Sequence, residues 1–205
     1  MRVVCLSDVH SRFAGLVVPD GDLLVVAGDL TRRGTREEIG AFDDWLATLP
    51  HPHKVVIAGN HDFGFERDPA ARTWITAGTY LQDEGCRVGG LSVWGSPWQP
   101  RFFDWAFNLD RGAPLEAVWA KIPVGTDLLV THGPPHGILD QCFDGRSVGD
   151  EALRDAVLRI RPRLHVFGHI HEAYGQRELD GIRFVNASTC SLAYVPDQAP
   201  IVIDL

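Results

Sequence analysis

Lys54-Val55-Val56-Ile57-Ala58-Gly59-Asn60-His61-Asp62 is a short apolar run that stops on a glycine and three polar side chains. A continuously apolar, β-branched run of this length reads as a strand buried on both faces, the pattern of parallel sheets. Two earlier stretches repeat it: Arg2 to Leu6 closes on Ser7-Asp8, and Leu23 to Ala27 closes on Gly28-Asp29. Between the second and third runs, Arg36 to Leu49 carries Ile39, Phe42, Trp45, Leu46 and Leu49 at helical spacing and then meets Pro50, so it predicts a crossover helix. Strand, helix, strand with short connections implies parallel pairing, and ligands of such sheets gather at the carboxyl ends of the strands. Asp8, Asp29 and Asn60 all fall there.

A second set of units follows. Asp127 to Thr131 predicts a strand, Glu151 to Ile160 a helix ended by Pro162, and Leu164 to Phe167 another strand. Gln176 to Leu179 and Ile182 to Val185 flank Asp180-Gly181, a hairpin signal, and Ile201 to Ile203 forms a last strand. The middle, Leu91 to Asn108, is rich in Trp, Phe, Pro and Gly; beyond Leu91 to Trp94 it reads as a long structured loop.

The 205 residues, 45% of them hydrophobic, suit one domain spanning 1–205. A net charge of −8 offers no basic track for nucleic acid and disfavours anionic membranes, so a phosphate-bearing substrate needs local positive charge. The chain starts in an apolar run, so no secretory leader is expected, and it has no apolar stretch of about 18 residues. Its four cysteines form no Cys-x-x-Cys pair and fit a reducing cytoplasm. A cytoplasmic protein without membrane partners is therefore expected; oligomeric state is left open.

Five strand ends carry candidate metal ligands: Asp8 and His10, Asp29, Asn60 and His61, His132, and His169 and His171. Residues two apart at a strand exit can point the same way, so Asp8-Val9-His10 and His169-Ile170-His171 each offer a pair. Asp29 has two oxygens with which to bridge cations, Asn60 adds a neutral carbonyl, and the imidazoles suit Zn, Mn, Fe, Co or Ni. Glycines precede Asp29, Asn60 and His169, allowing close approach where a side chain would crowd the ions. His61 is kept off the metals as the group that protonates a leaving alkoxide, with Asp62 expected to orient its ring.

In order, Asp8-Val9-His10, Gly28-Asp29, Gly59-Asn60-His61-Asp62, Thr131-His132-Gly133 and Gly168-His169-Ile170-His171 resemble the calcineurin-like metallophosphoesterase superfamily over nearly the whole chain. Gly95 to Trp98, Trp105 to Asn108, Gly168 to Gly175 and Asn186 to Cys190 are similar to its metallophosphoesterase-domain-containing branch, which resembles class III cyclic-nucleotide phosphodiesterases. The resemblance implies an α/β fold, a four-layer α/β/β/α sandwich of two mixed sheets flanked by helices. It also implies Asp8, His10, Asp29 and His171 on a first metal and Asp29, Asn60, His132 and His169 on a second, with manganese the expected ion in vitro.

The expected activity is hydrolysis of phosphodiesters or small nucleotides by a metal-bridging hydroxide, with Asp29 and His61 as the catalytic residues. The alternative is a metal- and nucleotide-binding regulator with little turnover, because some members of that branch hydrolyse poorly. Asn60, His61, Trp98 and Asn108 are the candidate substrate contacts. Arg32 and Arg33, three and four residues beyond Asp29, could reach a substrate phosphate as forked donors, but they read more readily as solvated surface residues and stay outside the expected site.

Overall fold

The three apolar runs form neighbouring parallel strands, β1 (Arg2–Leu6), β2 (Leu23–Ala27) and β3 (His53–Ile57), in the computed structural model, which describes residues 1–205. Register runs from Val3 opposite Leu23 to Leu6 opposite Val26, and from Leu23 opposite His53 to Ala27 opposite Ile57. β4 (Thr79–Tyr80) extends this sheet beyond β3, and β13 (Ile201–Asp204) closes its other edge antiparallel to β1.

The second sheet has the order β11 (Gly175–Leu179), β12 (Ile182–Asn186), β10 (Leu164–Phe167), β9 (Leu128–Thr131), β6 (Leu91–Ser96), β5 (Glu84–Val88). Its inner pairs are parallel and its two edge pairs antiparallel. The two-residue strands β7 (Gln99–Pro100) and β8 (Asn108–Leu109) make a separate ribbon.

Alternation along the strands sorts side chains into three cores. Val3, Cys5, Val25 and Ile57 meet Val93, Leu128, Val130 and Val166 between the sheets. Val4, Leu6, Leu24, Val26 and Val56 point outward to Ile39, Phe42 and Leu46 of α1 (Arg36–Thr48). On the far side, Leu129, Phe167 and Phe184 cover Leu115 and Trp119 of α3 (Ala113–Trp119) and Leu153, Val157 and Ile160 of α4 (Glu151–Ile160). Each fully buried aliphatic or aromatic side chain contributes about 1.5–3 kcal/mol, so both faces of both sheets are committed to burial. The result is the expected α/β/β/α sandwich of two mixed sheets. No helix is long and apolar enough to cross a membrane.

Helix starts follow from local chemistry. Thr35 and Glu38 cap α1 reciprocally, each accepting from the other's main-chain N–H at 3.2 Å. Asp150 caps α4 by accepting from the N–H groups of Ala152 and Leu153. The Asp180-Gly181 turn forms as read, with φ of 53° and 76°.

Within Leu91 to Asn108 only β6, two residues longer than read, and the two-residue β7 and β8 are regular, and the elements without a sequence signal lie outside that stretch. β5 carries no sequence signal because Glu84-Gly85-Cys86-Arg87-Val88 is a largely exposed edge strand without apolar alternation. α3 spans only seven residues, too few to display a periodic stripe. α2 (Phe63–Arg67) is shorter still and buries Phe65 alone.

The architecture brings the carboxyl ends of β1, β2, β3, β9 and β10 to one edge, where the sheets are also stitched together. Ser7 and Ser188 form an isolated parallel bridge, and Thr189 N–H donates to the Ser7 carbonyl at 2.8 Å.

Candidate metal centre

The loops leaving β1 and β2 adopt left-handed backbone at the candidate ligands themselves: φ is 54° at Asp8, 44° at His10 and 51° at Asp29, and His169 after β10 has 68°. Such conformations are unfavourable for non-glycine residues and persist where surrounding bonds enforce them. Here Asp8 N–H donates to Gly28 O at 3.0 Å and His10 N–H to Asp29 O at 2.9 Å, locking the two loops together. His169 N–H donates to the Asp8 carboxylate at 3.0 Å.

The glycines have the steric role their positions suggest. A Cβ on Gly59 would overlap Asp29 Oδ1 and the His132 ring, one on Gly28 would lie 2.6 Å from His132 Nδ1, and one on Gly168 would overlap Asp8 and Ser7.

Asp8, His10, Asp29, Asn60, His132 and His171 are buried and converge. His171 Nε2 lies 3.3 Å from Asp8 Oδ1 and 3.3 Å from His10 Nε2. His132 Nε2 lies 2.8 Å from Asn60 Oδ1 and 3.5 Å from Asp29 Oδ1, while Asp29 Oδ2 is 3.7 Å from His10 Nε2 and 3.9 Å from His61 Nε2. Asp29 thus stands between the two groups, one oxygen toward each. Ligand atoms of Asp8, His10 and His171, of Asp8, Asp29 and His132, and of His10, Asp29 and His61 fall within 4.8 Å of one another.

These spacings fit divalent cations. Metal–ligand bonds of about 2.0–2.1 Å place adjacent donors roughly 3.0–3.4 Å apart. The ring orientations agree: His132 Nδ1 faces Ala27 O at 2.9 Å and His171 Nδ1 faces Ser191 O at 3.1 Å, so each Nδ1–H donates to a carbonyl and presents Nε2 inward. His132 Nε2 then faces the side-chain oxygen of Asn60 at 2.8 Å, two electron-rich atoms that a cation between them would satisfy.

Electrostatics favour positive charge here. Burial opposes ionisation of Asp8 and Asp29, yet the surrounding histidines hold both carboxyls well below the usual range. Burial likewise opposes protonation of His132 and His171, but the facing carboxylates lift each to about 9. His10 is instead depressed to about 4, chiefly by burial.

His169 is placed differently. Its ring lies 5.0 Å from that of His132, centre to centre, but its ring nitrogens belong to none of the three close groups. His61 is partly exposed, with Nδ1 against Arg32 O at 3.1 Å and Nε2 toward Asp29.

Asp62 does not orient His61. Its carboxylate is buried and accepts from Leu30 N–H, Thr31 N–H, the Thr31 hydroxyl and Gly59 N–H, at 2.6–3.1 Å. It therefore clamps the loop after β2 to the loop after β3, and the Arg32 carbonyl takes the role of holding the imidazole.

A cavity of about 720 Å³ opens beside His10 and His61. Trp98 and Asn108 lie outside it. Trp98 Nε1 donates to Asp83 at 3.0 Å, and its ring packs edge-on against Phe107. Asn108 spends its side chain on the backbone of Phe102 and Phe103. Both shape the loop rather than the pocket. The lining aromatics are Phe63, Phe103, Trp105, whose ring centre is 4.0 Å from that of His61, and Tyr194, 4.8 Å from His10. Arg12, Arg32 and Arg33 also line the cavity; Arg32 and Arg33 are marked in the sequence only by following Asp29, and Arg12 by nothing.

A family profile described as calcineurin-like phosphoesterase matches residues 1–173. The chain is 43% identical over 230 aligned residues to the human metallophosphoesterase domain-containing protein 1, covering all of this chain and 71% of that protein. It is 30% identical to a Synechococcus protein named a probable cyclic nucleotide phosphodiesterase, over 80% of this chain and 63% of that one. Among solved structures, TT1561 of Thermus thermophilus superposes with a TM-score of 0.57 at 13% identity, covering 90% of this chain and 88% of that one; this shows a shared fold.

Proposed function

The chain belongs to the calcineurin-like phosphoesterase family, and from that premise we propose that it hydrolyses phosphodiesters or small nucleotides at a pair of divalent cations. The observation that carries this reading is the position of Asp29, with Oδ1 3.5 Å from His132 and Oδ2 3.7 Å from His10. A carboxylate facing two imidazole-bearing clusters suits a bridge. Asp8, His10, Asp29 and His171 would hold one cation, and Asp29, Asn60, His132 and His169 the other, the last only if its ring turns toward that group. Manganese, iron, zinc, cobalt and nickel all accept this mixed donor set.

When bound, the cations neutralise charge on the ester phosphate and supply a water-derived nucleophile at neutral pH. The chain's own residues do the rest. Asp8 and Asp29, held ionised by their histidine neighbours, fix the net charge of the site. The carbonyls of Ala27 and Ser191 hold His132 and His171 with Nε2 inward. His61, steadied by the Arg32 carbonyl, presents Nε2 at the cavity wall, where in its imidazolium form it hands a proton to the departing alkoxide. Asn60 would contribute a neutral oxygen toward the cations, and a contact with substrate would be made there and not in the cavity, which it does not line.

The diester preference draws support from the Synechococcus relative's name and from a cavity large enough for a nucleotide. Residues 1–205 act as one domain in this reading, and four unpaired cysteines suit a reducing cytoplasm. The test is metal-dependent hydrolysis of bis(p-nitrophenyl) phosphate by wild type, Asp29→Ala and His61→Ala. Metal-dependent turnover lost in Asp29→Ala is expected; indistinguishable rates in all three proteins would overturn the assignment. Nucleotide binding without turnover would instead favour a regulatory protein.

A further inference from the structure

The cavity beside His10 and His61 holds more positive charge than one ester phosphate on a cation pair requires. Arg12, Arg32 and Arg33 line it, with Asp104 as the sole carboxylate. In a chain of net charge −8 this concentration stands out. The three guanidinium groups have no acidic partner: the ion pairs of basic side chains lie elsewhere, at Arg101–Asp110, Arg111–Glu151, Arg146–Asp144 and Lys121–Asp83.

Their backbones are fixed by the same bonds that build the metal loops. Arg12 N–H donates to Val9 O, within the β1 exit loop. Arg32 accepts at its carbonyl from His61 Nδ1, and Arg33 N–H donates to Glu38 Oε2 at 3.0 Å. The preceding Thr31 is clamped by Asp62. Anchored backbones with unpaired forked donors facing one cavity form a ready receptor for a dianionic oxyanion, because guanidinium matches phosphate geometry with two parallel hydrogen bonds. Trp105 and Tyr194, which line the same cavity against His61 and His10, supply flat apolar walls.

We propose that Arg12, Arg32 and Arg33 form a second anion subsite, so that the substrate carries a terminal phosphate in addition to the ester phosphate that is cleaved. A nucleoside bearing a phosphodiester at one end and a phosphomonoester at the other is the matching chemical class. The inference deepens the phosphodiesterase reading, on which it rests for the location of the ester group.

The experiment compares two chromogenic diesters that differ by one phosphate: thymidine 5′-(p-nitrophenyl phosphate) with and without a 3′-phosphate. With metal-loaded wild type, kcat/KM is expected to be about 10- to 100-fold higher for the 3′-phosphorylated ester. In the triple variant Arg12→Ala/Arg32→Ala/Arg33→Ala the ratio should collapse toward one, and in the corresponding triple lysine variant, which keeps the charge, part of it should return. A ratio near one in wild type, or an undiminished ratio in the triple alanine variant, overturns the subsite.

Calorimetry with adenosine 3′,5′-bisphosphate and adenosine 5′-monophosphate supplies a readout independent of turnover. Preferential binding of the bisphosphate by wild type and loss of that preference in the triple alanine variant supports the subsite; equal binding of the two nucleotides by wild type contradicts it. If neither ester is hydrolysed, the phosphodiesterase reading fails while the binding comparison still decides the subsite.

Discussion

His132 at the end of β9 donates its Nδ1–H to the carbonyl of Ala27 at the end of β2, across 2.9 Å and between the two sheets. This bond ties the orientation of a buried imidazole to the packing of the whole sandwich, and it fixes which nitrogen is free to bind a cation. His132→Ala should lower the metal content from two ions per chain to one and reduce kcat/KM on a diester by more than about 100-fold. Elemental analysis together with steady-state rates checks both; two retained ions would refute the placement of His132.

Asp62 joins the loops after β2 and β3 through four donors. Asp62→Ala leaves three buried N–H groups without an acceptor, so it should cost about 3 kcal/mol of stability and also weaken metal uptake. Denaturant unfolding of the metal-stripped protein measures the first effect. A loss below about 0.5 kcal/mol would show that water or a rearranged loop replaces the carboxylate.

Gly59→Ala tests the steric packing of the centre, because the added Cβ overlaps Asp29 Oδ1 and presses on His132 at 2.6 Å. Displacing the Asp29 carboxylate should reduce metal affinity by at least about tenfold, a cost within the range for overpacked sites. Gly40→Ala, at a helical glycine with nothing within 4 Å of the added Cβ, should leave metal affinity unchanged.

Metal uptake should depend on pH with a defined sign. His132 and His171 are lifted from 6.5 to about 9 by the facing carboxylates, so their protonation stabilises the metal-free fold fully below about pH 6.5 and that contribution disappears as pH rises through about 9. Cations need the same nitrogens unprotonated. Melting temperature of the stripped protein should therefore fall between pH 6.5 and 9 while metal affinity rises, with up to two protons released per chain near pH 7. Calorimetry in buffers of different ionisation enthalpy counts those protons; none released would contradict the assignment of both rings as ligands.

His61→Ala should separate leaving groups. A nitrophenolate departs without protonation, whereas an alkoxide needs an acid, so the loss should be modest for a nitrophenyl ester and about 10²- to 10⁴-fold for an alkyl ester. Equal losses on both would make His61 a phosphate contact rather than an acid.

Much of this arrangement is legible in the residues. Val-rich runs stopping on Gly-Asp and Gly-Asn announce parallel strands with ligands at one edge, and the buried helix face of Ile39, Phe42 and Leu46 supports the crossover. The left-handed backbone at Asp8, His10 and Asp29 is not legible, because it comes from bonds between loops about 20 residues apart and not from local composition. The role of Asp62 is hidden for the same reason: adjacency to His61 suggests a partner, but the partners lie mainly on the β2 loop. Trp98 and Asn108 look like substrate contacts by residue type, while their polar groups are already used by Asp83 and the Phe102-Phe103 backbone. Arg32 and Arg33 reach the cavity because the Asp62 clamp draws their loop to its wall.

The most direct measurement is a titration of metal-stripped protein with Mn²⁺, following bound metal and bis(p-nitrophenyl) phosphate hydrolysis in the same samples. Hydrolysis should climb to a plateau as occupancy reaches two ions per chain, and Asp29→Asn should neither bind the second equivalent nor turn over. Saturation at a single ion, or full occupancy with no hydrolysis, would contradict a paired-cation phosphoesterase.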